Sequence, residues 1–147
     1  MVHLPSPFSL FLVDPVLNFE FTFGRVEKYQ SLFAWQQAHQ AALLTLRQCD
    51  AHYHPKSRAL FDQLRRATIS VEANIVEGYA LSTPLQFRRH LRIALGSAAE
   101  AECLTRLAAE VQYLPKVVTD ELETLLERSM AAVYGLIKKG DGRREMG

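Results

Sequence analysis

The fold is decided by the stretch Gln63-Leu-Arg-Arg-Ala-Thr-Ile-Ser-Val-Glu-Ala-Asn-Ile-Val-Glu-Gly78. Within and just before it, apolar residues recur every three or four positions, which is typical of the buried face of a helix; they are Leu60, Leu64, Ala67, Val71 and Ile75. Polar residues follow a flank of that face with the same spacing: Arg66, Ser70, Asn74 and Glu77. Because a buried polar group is costly unless it is hydrogen-bonded, this flank predicts a partner helix with matching groups.

The segment Ile93-Ala-Leu-Gly-Ser-Ala-Ala-Glu-Ala-Glu102 supplies such a partner. Ser97 and Glu100 fall on one side of this second helix, and Arg66 has the right phase to meet Glu100 or Glu77. We therefore expect one buried polar network, formed between these helices or between subunits, from Arg66, Ser70, Asn74, Glu77, Ser97 and Glu100.

Four amphipathic helices are predicted. The first three cover about 31–53, 58–76 and 85–112, and the fourth starts after Thr119 and ends at Lys138-Lys139-Gly140. Ser31, Ser57 and Thr83 are the expected N-caps. Gly78 is expected to end the second helix, and Leu107 to lie inward on the third. Short connections between such helices favour an all-α, up-down-up-down four-helix bundle over residues 29–139.

The ends of the chain are expected to lie outside the bundle. Pro5, Pro7 and Pro15 interrupt residues 1–28, which we interpret as a poorly structured arm, or as a gene-calling extension upstream of a natural start near Val26. A secretory signal is disfavoured because its positive n-region is missing. Residues 140–147 are a predicted frayed tail.

Composition favours a cytoplasmic protein. Two cysteines, Cys49 and Cys103, give no disulfide framework, which fits a reducing compartment. No apolar run approaches the length of a membrane span, so no membrane partner is expected.

The sequence carries no pattern typical of an enzyme. A di-iron bundle needs Glu-x-x-His motifs on two helices, and the chain has none. Cys49-x-x-His52-x-His54 lacks the second ligand pair of a usual zinc site. Ser70 and Ser97 have no histidine base in register. We expect no catalytic residue, metal or cofactor. Gly96 is expected to allow close approach of a neighbouring helix.

Charge is distributed in two blocks. Residues 47–92 hold eight basic and four acidic side chains, whereas residues 100–127 hold two basic and seven acidic ones. Four arginines near the turn between the second and third helices are predicted to be exposed: Arg65, Arg88, Arg89 and Arg92. They are either ordinary surface charge or a patch that contacts phosphates without reading sequence.

Several motifs resemble the four-helix bundle proteins of the 23S ribosomal RNA intervening-sequence family. The matching residues are Leu32-x-x-Trp35-x-x-Ala38, Gln63-Leu-Arg-Arg-Ala67, Ser70-Val71, Asn74-Ile75, Glu77-Gly78, Ile93-Ala-x-Gly-Ser97, Glu100, Glu102 and Tyr113-Leu114. The resemblance implies a homo-oligomer, a ring of five bundles. It also implies kinship with the accessory variability determinant proteins of diversity-generating retroelements, which assist a reverse transcriptase and bind nucleic acid.

The leading hypothesis is a non-enzymatic, oligomeric scaffold or accessory protein that associates with RNA or DNA, beside an RNA element or a reverse transcriptase. The alternative is a structural or protein-binding oligomer without a nucleic-acid role.

Overall fold

The computed structural model describes residues 27–81 and 83–142. It contains four α-helices, α1 (Phe33–Ala51), α2 (Arg58–Ala80), α3 (Pro84–Glu110) and α4 (Lys116–Gly142), with short 3-10 turns at Glu27–Ser31 and Pro55–Ser57. No strand occurs in these ranges, and the predicted all-α fold is confirmed. The predictions of a poorly structured arm and a frayed tail lie outside the described residues over 1–26 and 143–147. Where they are described they are wrong, because Glu27 and Lys28 belong to a 3-10 turn and residues 140–142 continue α4.

The helices form a bundle in which each packs against two others. α1 contacts α2 and α4, and α3 contacts α2 and α4. Successive helices run antiparallel, as two contacts between α2 and α3 show. Ser70 contacts Ser97, whereas Asn74, one turn later on α2, contacts His90, which lies two turns earlier on α3. This is the up-down-up-down arrangement that the short connections favour.

The core follows the predicted stripes closely. On α2, Leu64, Ala67, Val71 and Ile75 are buried, and Leu60 packs against them. α1 and α3 contribute mainly alanines, which bring the helices close together. The exception is Leu107 on α3, which was expected inward and is exposed.

Helix boundaries differ from the expected ones for local reasons. Thr83 caps α3 as predicted, since its Oγ1 accepts a hydrogen bond from the Gln86 amide at 3.2 Å. Ser31 does not cap α1; its hydroxyl donates to the Lys28 carbonyl in the preceding 3-10 turn. α4 begins at Lys116 rather than after Thr119, because Thr119 donates back to the Lys116 carbonyl within the first turn.

The prediction that Gly78 ends α2 is wrong, because α2 continues to Ala80. A Cβ on Gly78 would lie 2.7 Å from the Cβ of His90, so this glycine lets α2 and α3 approach each other. The close approach that was expected at Gly96 is not found among the described residues, because the space next to that glycine is open there.

Candidate functional site

A polar seam joins α2 to α3 through three predicted residues. The hydroxyls of Ser70 and Ser97 lie 2.9 Å apart. Asn74 donates from its Nδ2 atom to the Ser70 carbonyl at 2.8 Å and to the Ser70 hydroxyl at 3.1 Å. These contacts satisfy half-buried groups that would otherwise be costly.

His90 completes this seam and was not among the predicted members. Its Nδ1 atom lies 3.0 Å from Asn74 Oδ1. Because the Asn74 amide nitrogen is already donating, its oxygen accepts, so His90 carries a proton on Nδ1. His90 precedes Ser97 by seven residues, two helical turns, and this spacing was the available signal.

The charged members of the predicted network lie at its exposed edge. Arg66 and Glu100 do not pair directly, because Gln63 lies between them. Arg66 donates to Gln63 Oε1 at 2.9 Å, and Gln63 Nε2 donates to Glu100 Oε1 at 2.9 Å. Glu77 is also exposed, 3.8 Å from His90 Nδ1. These three charges are therefore not buried between α2 and α3 within one chain, and their burial between subunits stays a prediction.

Arg65 is engaged within the chain instead of standing free. Its guanidinium lies 2.7 Å from Asp50 Oδ1 and 3.2 Å from Asp62 Oδ1, and its side chain is 21% exposed. Since two carboxylates neutralise it, Arg65 is a poor candidate for a phosphate contact.

Arg88 is buried, which corrects the prediction that it is exposed. Only 4% of its surface is accessible, and its Nη1 atom donates to the carbonyl of Gly140 at 3.3 Å. A guanidinium is well suited to the end of α4, where carbonyls lack helical partners. Arg88 lies three residues before the buried Leu91, a spacing that already favoured an inward position.

Arg89 and Arg92 remain exposed, as predicted. Among the described residues, neither has a carboxylate partner within ion-pair distance. The contact between Arg88 and Gly140 brings the start of α3 beside the end of α4, where Lys138 and Lys139 are also exposed. We call Arg89, Arg92, Lys138 and Lys139 the basic end of the bundle.

A second cluster, not predicted from the sequence, lies between α1 and α2. His39 Nδ1 is 2.8 Å from Glu72 Oε2. The imidazole of His39 stacks on the Trp35 ring with centroids 4.6 Å apart, and Tyr29 meets Trp35 edge-on. This cluster fixes the start of α1 against α2.

The cysteines and histidines do not form a ligand set. Cys49 is buried, and this burial raises the pKa of its thiol to about 11, whereas His52 is exposed and bonded to the Gln48 carbonyl. Within residues 27–81 and 83–142, no group of three or more histidine, cysteine or acidic residues could hold a metal ion. In the same ranges, every helix is too short or too polar to cross a membrane.

The fold and the seam define a class: four-helix bundles whose second and third helices share a polar seam. The family model described as 23S rRNA-intervening sequence protein matches residues 30–135, which is most of the chain. The chain belongs to this family. A comparison with curated proteins finds no match.

Proposed function

We propose that this protein is a non-enzymatic, oligomeric scaffold that binds nucleic acid through the basic end of the bundle. The observation that carries the proposal is that Arg89 and Arg92 are exposed and have no carboxylate partner among the described residues, at the end of the bundle where Lys138 and Lys139 are also exposed. Lys138 lies 4.9 Å from the centroid of the Tyr134 ring, which is also exposed. An exposed ring beside cations suits single-stranded nucleic acid, whose bases stack and whose phosphates attract charge.

The exposed arginine and lysine side chains at the basic end of the bundle determine which kind of nucleic-acid binding is expected. Arginine and lysine on phosphates give affinity that is independent of sequence and falls with salt. Assembly of several copies, in the five-membered ring that the resemblance implies, multiplies such contacts along one strand. The family's description refers to an intervening sequence of 23S rRNA, which supports RNA as the first ligand to test. A reverse transcriptase is a further proposed partner, and the cytoplasm is the proposed compartment.

The test is a salt titration of binding to a labelled single-stranded RNA. Each phosphate contact contributes about −0.7 to the slope of log affinity against log salt. The double variant Arg89→Gln/Arg92→Gln should weaken binding and lower the magnitude of this slope by about 1.4 if both residues contact phosphates. The control Arg47→Gln/Arg58→Gln removes the same charge at the opposite end of the bundle and should leave the slope unchanged.

A structural oligomer without a nucleic-acid role is the second candidate, and the exposed apolar residues of α3 favour it. Leu85, Ile93 and Leu107 are large side chains left at the surface, as at sites of protein association. If the wild-type protein shows no salt-sensitive binding to RNA or DNA, this second candidate replaces the first.

A further inference from the structure

A recess on the outward face of α3 lies between exposed apolar side chains and two arginines of the basic end of the bundle. It has a volume of about 550 Å³ and is lined by Leu85, Arg89, Arg92 and Ile93. Leu85 is 64% exposed and Ile93 is 43% exposed, and each lies about one helical turn from Arg89. Apolar side chains that are grouped at a surface mark binding sites. The recess therefore offers apolar surface and positive charge to the same ligand.

Gly96 leaves the far end of this recess open. Leu85, Arg89, Arg92 and Gly96 follow one another at spacings of four, three and four residues, so they lie along one line of α3. Apart from the helix itself, no described atom comes within 4 Å of where a Cβ of Gly96 would lie. Glycine is unfavourable inside a helix, but it allows a ligand to approach the backbone closely. The line of side chains therefore ends where a bound molecule can reach the helix backbone.

Tyr134 on α4 lies beside the recess. Because α3 and α4 run antiparallel, residues equally far from the contact between Arg88 and Gly140 lie at the same level. Tyr134 precedes Gly140 by six residues and is therefore level with residue 94. It follows Ser129, which contacts α1, by five residues, and five residues turn a helix by about 140°. Tyr134 thus lies on the side of α4 away from α1 and towards α3, where its ring is 52% exposed.

We propose that the recess binds unpaired bases of single-stranded RNA, while Arg89 and Arg92 hold the phosphates on either side of them. The inference rests on the proposed function and assigns the apolar contacts to the bases, through Leu85, Ile93 and Tyr134. The faces of unpaired bases are free to pack on protein side chains, whereas the bases of a duplex are stacked inside it. The site should therefore select RNA whose bases are unpaired.

The layout of the recess favours bases over an acidic segment of a partner protein. About 12 Å separate Leu85 from Ile93 along α3, and this length accommodates about three stacked bases at about 3.4 Å each. A helical protein segment instead lays a continuous apolar face into a hydrophobic groove. All four lining residues lie on α3, and two of them are arginines. Interleaved apolar and cationic side chains match the alternation of bases and phosphates along a single strand.

An oligonucleotide without bases separates base contacts from phosphate contacts. The wild-type protein would be titrated with a fluorescein-labelled single-stranded uridine oligonucleotide and with a strand of the same length whose riboses carry no base. Packing of bases should make the first strand bind about tenfold more tightly at equal salt. Equal affinity overturns the inference and leaves the proposed function intact. Absence of salt-sensitive binding to either strand overturns both.

Substitution of the apolar residues tests where the bases lie. Leu85→Ser/Ile93→Ser should remove most of the tenfold preference for the strand with bases, and it should leave the slope of log affinity against log salt unchanged because no charge is lost. The control Leu107→Ser/Val117→Ser removes two exposed apolar side chains near the opposite end of the bundle and should keep the preference. A preference that survives in the first variant, or is lost equally in the control, overturns the assignment of the recess.

Two further measurements separate RNA from other anionic ligands. Arg89→Gln/Arg92→Gln should reduce the magnitude of the salt slope for both strands by the same amount, because both strands carry the same phosphates. A peptide of alternating glutamate and leucine should bind more weakly than the uridine strand. If this peptide binds more tightly than the RNA and loses that affinity in Leu85→Ser/Ile93→Ser, the recess docks a protein and the inference is overturned.

Discussion

The Nδ1 atom of His90 on α3 lies 3.0 Å from the Oδ1 atom of Asn74 on α2. This contact extends the Ser70–Ser97 hydroxyl pair into a continuous polar seam, since Asn74 also donates to Ser70. The seam fixes the register of the two helices, because a shift of either one breaks several hydrogen bonds at once.

The seam and its exposed edge should differ in their effect on stability. Asn74→Ala removes three hydrogen bonds and leaves the His90 proton without its acceptor, so the free energy of unfolding should fall by about 1–3 kcal/mol. Glu100→Ala removes an exposed contact to Gln63 and should cost under about 1 kcal/mol. Urea denaturation at low protein concentration measures both. If both variants lose the same free energy of unfolding, the polar seam contributes no more to stability than the exposed contact between Gln63 and Glu100.

Gly78→Ala should destabilise the protein, although alanine favours helices. The new Cβ would lie 2.7 Å from the Cβ of His90, so α2 and α3 must separate, at a cost of about 1–3 kcal/mol. Gly135→Ala is the matched control, because the space beside Gly135 is open; it should stabilise by about 0.5–1 kcal/mol. Thermal melting of both variants gives the sign of each change in stability. A stabilised Gly78→Ala variant would contradict the close approach of α2 and α3 at this glycine.

Substitution of the adjacent arginines Arg88 and Arg89 should have very different effects on the free energy of unfolding. Arg88→Ala removes a buried guanidinium from the end of α4 and should lower the free energy of unfolding by about 2–4 kcal/mol. Arg89→Ala changes an exposed side chain and should stay within about 0.5 kcal/mol of wild type. Urea denaturation measures the stability of both variants. If they are equally stable, Arg88 is not buried against the end of α4.

Cys49 should contribute to the loss of stability at high pH. Its folded-state pKa is raised from 9.0 to about 11 by burial, so the unfolded chain releases the proton first as the pH rises. Stability from the neutral buried thiol is therefore full below about pH 9 and is lost towards pH 11. Cys49→Ala removes this dependence, so the difference in urea midpoint between it and wild type should shift across this window. A constant difference would show that Cys49 does not titrate differently on folding.

Sequence periodicity was sufficient for the fold class and for most of the core. The residues Leu64, Val71 and Ile75 repeat at helical spacing, and burial of apolar surface leaves such a face few alternatives. The same spacing placed Ser70, Asn74 and Ser97 along one flank, because residues three, four or seven apart share a side of any helix. Motifs that include these residues also predicted the family to which the chain belongs.

Only the tertiary structure decided which charges are free. Arg65, Arg88, Arg89 and Arg92 look alike in sequence, yet two carboxylates neutralise the first, the end of α4 covers the second, and the last two stay exposed. Gly78 and Gly96 are likewise indistinguishable by pattern, but one faces His90 and the other faces open space. Helical spacing fixes the side of a helix on which a residue lies, whereas the packing of the four helices fixes what lies opposite it.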